Sequence, residues 1–142
     1  MSQWTHVCGC IRIDCLSHEK MQERMQNALG KILMWESPME MWDEADVHPE
    51  RYTPYGSEGG IEYDIWENPN HSCMASHTVS IWGDLRDYSN VNEITDWFNK
   101  ILYSSHLIIR DAVLSIDVEY QSKTVLVYND DARKCEETQI EY

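Results

Sequence analysis

The feature that most limits how this chain can fold is a repeated switch in hydrophobic period. From Trp4 to Ile13 the pattern alternates, with Val7, Ile11 and Ile13 on one side and His6, Cys8, Cys10 and Arg12 on the other. A two-residue period predicts a strand. From His18 to Leu33, the residues Met21, Met25, Ala28, Leu29 and Ile32 fall on one face of a helix, with Asp14 or Ser17 to cap it. Ile61 to Trp66 and Ala75 to Trp82 alternate again around Asn68-Pro69-Asn70, which predicts a hairpin. Asn90 and Glu93 have the spacing of a capping box, and Val91, Ile94, Trp97, Phe98, Ile101 and Leu102 make a second helical stripe. Ala112 to Tyr120 and Thr124 to Tyr128 read as two last strands, the first with Leu114, Ile116, Val118 and Tyr120 on one side.

The resulting order is strand, helix, strand, strand, helix, strand, strand. It predicts an α+β fold, a ferredoxin-like β-α-β-β-α-β sheet with two helices on one face and an extra C-terminal strand. The expected core is Met25, Leu29, Ile32, Val79, Ile81, Ile94, Phe98, Leu114 and Ile116. The 142 residues suit one domain over 1–142. Within it, 34–60 reads as an irregular acidic insertion and 129–142 as a polar tail that frays in part.

Charge narrows the function. Eleven Lys and Arg against 25 Asp and Glu leave a net charge of −14. Direct binding to a nucleic-acid backbone needs the opposite sign, and so does docking on an anionic membrane. No apolar run approaches the ~20 residues of a membrane span. The first residues lack a basic region and apolar core, which predicts a chain without a signal peptide. Five cysteines without a secretion signal suggest reduced thiols in a cytosol. Their spacing is not the paired C-x-x-C of a zinc site, so no metal or other cofactor is expected.

Two helices cover one face of such a sheet and leave the other open. The alternation puts Trp4, His6, Cys8, Cys10, Arg12, Glu62, Asp64, Trp66, Ser80, Trp82, Ser115, Asp117 and Glu119 on the open side. Three tryptophans among four carboxylates would repel a phosphate chain, unlike the basic surroundings of RNA-reading sheets. The plain reading is a solvated face. The sharper one is a protein contact, since Trp and Tyr are enriched in interface cores. Self-association through this face, giving a homo-oligomer, is one form of it.

The charge is also concentrated. Residues 34–74 hold ten acids and one base, Arg51, so this stretch carries −9. Solubility alone accounts for negative charge on a surface. Carboxylates arrayed beside tryptophans also suit the Lys/Arg groove with which another protein tracks nucleic acid. On that reading the partner-binding residues are Glu40, Trp42, Asp43, Glu44, Glu62, Asp64 and Trp66.

A second set of residues suits a small anionic ligand. Gly56, Ser57 and Gly59, in a turn-rich loop, offer backbone N–H groups for a phosphate, although a plain turn is the simpler reading. Arg86, between Asp84 and Asp87, is either a local ion pair or an anion grip. Tyr55, Trp82 and Tyr88 offer flat rings for a base. His71 and His77 flank the hairpin loop without a metal-binding spacing. No nucleophile–base pairing stands out, so a small hydrolase ranks below both binding readings.

The segments WTHVCGCIRID, PYGSEGG and TVSIWGDLRDY, the last followed by an amphipathic helix, resemble small phage-encoded counter-defence proteins, a group that includes anti-CRISPR inhibitors and nucleotide sponges. The resemblance spans about two-thirds of the chain and implies no residue roles. With the charge pattern it sets the expectation: a non-enzymatic inhibitor, in the host-cell cytoplasm, of a bacterial defence protein with a basic groove. The alternative is a sponge that holds a small immune-signalling nucleotide in a pocket between copies.

Overall fold

The structure, a computed structural model, describes residues 2–15, 20–70 and 73–141. They form β1 (Trp4–Asp14), α1 (Met21–Leu29), α2 (Met39–Val47), β2 (Ile61–Glu67), β3 (Ala75–Arg86), α3 (Val91–Ser104), β4 (Ile108–Val118), β5 (Ser122–Val127) and β6 (Glu136–Glu141). The class is α+β, with three helices and one six-stranded antiparallel sheet among the described residues. The strand order is β2-β3-β1-β4-β5-β6.

β1 is central: long partners pair along both of its edges, and Val7, Ile11 and Ile13 face inward from it. Val7 lies opposite Gly83 of β3 and Ile116 of β4. Ile11 lies opposite Val79 and Ala112. α1 buries Met21, Met25 and Leu29 at i, i+4 and i+8, while α3 buries Ile94, Phe98, Ile101 and Leu102. All of these join one cluster with Val7, Ile11, Ile81, Leu85, Leu114 and Leu126, so α1 and α3 cover the same sheet face. Each fully buried large side chain contributes roughly 1.5–3 kcal/mol. Asn90 caps α3 as its spacing predicts: its side chain accepts from the Glu93 N–H, and the Glu93 carboxylate accepts from the Asn90 amide.

Six expectations need correction. α1 stops at Leu29 rather than Leu33, because Gly30 takes φ 100°. The last carbonyls of α1 are then satisfied from outside: Trp97 Nε1 donates to Leu29 O at 2.8 Å and the Tyr63 hydroxyl to Gly30 O at 2.7 Å. With the helical period lost, Ile32 is only half-buried, and Leu33 is buried in a separate small cluster. Asp14 does not cap α1. It takes two bonds from Arg110, at 2.6 and 3.0 Å, and Ser17 lies outside the described residues.

The insertion at 34–60 is not irregular throughout. It holds α2 and a 3-10 turn at Pro49–Arg51. Ala45 packs there with Leu33 and Tyr52, joined by Met41, Trp42 and Tyr55. The tail is not loose either, since β6 pairs along β5. The buried Cys135 anchors its start, with its N–H on Asn99 Oδ1 at 3.1 Å, and Asn129 donates to Glu136 at 2.8 Å. Tyr120 lies past the end of β4, in a turn, at φ 65° and 76% exposed, and so leaves the inward row.

Candidate functional site

A cleft of about 770 Å³ lies between the insertion and the loop that leads into β2. That is within the range of ordinary ligand or anchor-residue pockets. One wall is Leu33, Met34, Trp35, Met39 and Trp42; the other is Tyr55 through Gly60, with Glu62 beyond. Trp42 and Tyr55 stand almost perpendicular, at 89°, with ring centroids 5.9 Å apart. Trp35 is 92% exposed, and Met34 and Met39 are exposed too.

Local chemistry explains each wall. α2 begins after Pro38, whose extended ψ of 148° turns the chain into the helix. Its inner side rests on Tyr52, and Glu44 ties the two together. The Glu44 carboxylate accepts from the Tyr52 hydroxyl at 3.0 Å and from Arg51 at 3.2 Å, with Lys31 at 3.5 Å. The Tyr52 and Arg51 hydrogen bonds hold Glu44 below the usual carboxylate range. The opposite wall is a tight turn in which Gly56 N–H donates to Gly59 O and Ile61 N–H to Pro54 O. Gly59 takes φ 74°, and a Cβ there would sit 2.0 Å from Asp84 O, so the turn requires glycine.

The structure brings together residues that the sequence placed in two separate sets. Trp42 and Glu62, from the partner-binding set, share the cleft with Tyr55, Gly56, Ser57 and Gly59 from the ligand set. Others are placed elsewhere. Glu40 and Asp43 are exposed on α2. Asp64 is exposed on β2 opposite Ser80, and Trp66, 53% exposed, lies opposite Thr78 towards the far end of that strand. Trp82 lies on the open face between Glu62 and Cys8.

Several site readings change or narrow. Glu44 is engaged internally, so it is part of the scaffold rather than a free contact. Arg86 is no open anion grip: it pairs with Glu58 at 3.1 Å and Asp87 at 3.8 Å, and donates to Ser2 at 2.9 Å. The loop amides of Gly56 and Ser57 are spent on Gly59 O and Arg86 O, which leaves neither for a phosphate. Tyr88 is half-buried, with burial pushing its phenol well up, and its carbonyl accepts from the Thr5 hydroxyl. His77 is buried against Ser76, 2.6 Å away, and His71 lies outside the described residues.

The open face carries a second constellation. His6 Nδ1 is 2.6 Å from Asp84 and its Nε2 is 2.9 Å from Glu119. The hydrogen bond to Asp84, then that to Glu119, raises the His6 pKa above 6.5. The same contact, led by His6, lowers Glu119. A raised histidine pKa stabilises the fold fully below the unfolded value and loses that contribution as pH rises through the folded value. The His6 imidazole should therefore titrate above 6.5 by NMR, and Asp84→Asn should bring it down more than Glu119→Gln. The stability difference between wild type and His6→Ala should shrink as pH rises past that point.

No family model matches the chain, and no curated protein matches it significantly. Among solved structures, one similar chain comes from a crystal structure of the Csm3-Csm4 subcomplex in the type III-A CRISPR-Cas interference complex. It is 12% identical, with a TM-score of 0.36 over 99% of this chain and 91% of that one. A likeness at that level carries neither fold nor activity across. No helix among the described residues is long and apolar enough to cross a membrane.

Proposed function

We propose that this chain is a non-enzymatic binding protein of the phage counter-defence kind, acting in the host-cell cytoplasm on a bacterial defence protein with a basic groove. The observation that carries this reading is an acidic surface with exposed aromatic anchors. The segment 34–74 has a net charge of −9, its lone base Arg51 is engaged with Glu44, and Trp35 and Trp66 stand in solvent within it. Exposed tryptophans in a charged surround have the make-up of interface hot spots. The strand order β2-β3-β1-β4, with α1 and α3 on one face, supports reading the first four strands as a ferredoxin-like unit extended by β5 and β6. The nucleotide-sponge alternative finds rings in Trp42 and Tyr55. It lacks an unpaired cation beside them, since no Lys or Arg among the described residues lines the cleft.

The test is phage plating on bacteria that carry a defined nucleic-acid-targeting defence system, with and without this chain expressed. Restored plaques are the expected result, and an unchanged efficiency across such systems would sink the reading. Against the purified target, the quadruple variant Glu40→Gln, Asp43→Asn, Glu62→Gln, Asp64→Asn should slow association most at low salt. Trp66→Ala should weaken binding more than any one of those four changes, by about tenfold or more.

A further inference from the structure

We propose that the cleft between α2 and the 55–60 turn is a receptor for a single arginine side chain presented by a partner protein. The inference rests on the binding reading above and names the chemistry that one part of the surface recognises.

The geometry is that of an aromatic corner. Trp42 and Tyr55 meet at 89°, and the exposed Trp35 lines the same space. Ring faces attract cations through their quadrupole, and a planar guanidinium also stacks on them, which favours Arg over Lys. Met34 and Met39 add flexible thioethers that suit the aliphatic stem of such a side chain. The electrostatics agree. Glu58 and Glu62 line the cleft, and among the described residues no Lys or Arg does. Glu58 is already paired with Arg86, whereas Glu62 has no ion-pair partner among the described residues.

A neighbouring ring shows the contrast. Lys31 Nζ sits 5.6 Å from the Tyr52 ring centroid, so that aromatic is occupied by the chain's own cation. The Trp42–Tyr55 corner has no such occupant among the residues that line it. An anionic ligand would meet Glu62 there without a compensating base. A neutral apolar ligand would leave that carboxylate partly desolvated, which is costly unless it is paired.

The probe is a short glycine-flanked peptide with one arginine, titrated into the full ¹⁵N-labelled chain while the indole N–H signals are followed. Counterparts carry lysine or citrulline, the latter a neutral group of nearly the same shape. Saturable shifts at Trp35 and Trp42, with Trp97 and Trp66 as internal controls, are the expected result. Citrulline should bind roughly 3- to 30-fold more weakly. Trp35→Ala and Glu62→Gln both lie on exposed or half-exposed side chains, so the fold should persist while the arginine shifts weaken several-fold.

Equal binding of citrulline, shifts confined to the control indoles, or tighter binding of adenosine monophosphate would each overturn the proposal. The broader reading is separable from it. Plaque restoration that survives both substitutions, in a chain that shows no arginine response, overturns the cleft proposal and leaves the inhibitor reading standing. An arginine response in a chain that restores no plaques supports the cleft and overturns the inhibitor reading.

Discussion

Phe98→Ala is expected to lower the unfolding free energy by about 3–5 kcal/mol. Phe98 is fully buried in the middle of α3, against the sheet face that α1 also covers. Truncation removes the ring's transfer free energy and leaves a cavity that a close-packed interior refills only in part. Urea denaturation would read the change as a lower midpoint with an unaltered slope. Leu114→Ala and Ile116→Ala, also fully buried, should cost about 2–5 kcal/mol. Trp35→Ala is the control: its side chain is 92% exposed, and the change should stay within about 0.5 kcal/mol. A Phe98 loss no larger than the Trp35 loss would mean that α3 is not seated as described.

Gly9→Ala should be among the most damaging changes of a single methyl group. Gly9 lies on central β1 opposite Ile81 and Leu114. A Cβ there would stand 2.2 Å from Val113 O and 2.9 Å from Leu114 Cα. Those are backbone atoms of the neighbouring strand, so no rotamer change relieves the clash. β1 and β4 would have to separate in the middle of the sheet. Overpacking typically costs about 1–3 kcal/mol and sometimes more, and a clash with backbone belongs at the upper end. A thermal melt would show it, with Cys8→Ala and Cys10→Ala as flanking controls on the open face. Equal melting temperatures for all three variants would contradict the register assigned to β1 and β4.

The strands and main helices were legible because each has a buried face and an exposed one, so burial leaves a period in the sequence. Nearly all of the expected core residues are buried, with Ile32 the exception, displaced by the helix end at Gly30. β6 left no such trace. All six of its residues are exposed, so no apolar alternation marks it, and only its pairing with β5 makes it a strand. β3 reads short in sequence because Gly83 resembles a break. In the fold, glycine is what that position needs, since a Cβ would lie 2.7 Å from Gly60 O across the β2 junction. The extra length carries Asp84 onto the open face beside His6, a pairing that a loop assignment for Asp84 conceals.

The cleft was half legible. Trp42, Tyr55 and Glu62 each stood out by residue type, but they lie on a helix, a turn and a strand. Their meeting depends on how the insertion folds back over Tyr52, which no local pattern encodes. Trp35 was visible only as one more aromatic in the acidic stretch. Of the two readings of Arg86, the ion pair is the one the structure shows, but one of its partners, Glu58, lies 28 residues away and left no local trace.

The two outer strands have a consequence for how copies of this protein meet. An open sheet has a free ladder on each side, and identical molecules can zip together along it. Here β2 presents Glu62, Asp64 and Glu67 along one margin, and β6 presents Glu136, Glu137 and Glu141 along the other. Two copies approaching margin to margin would set like charges against each other, which opposes strand pairing. The acids on both margins therefore oppose the edge-to-edge growth of filaments that an unguarded ladder would allow.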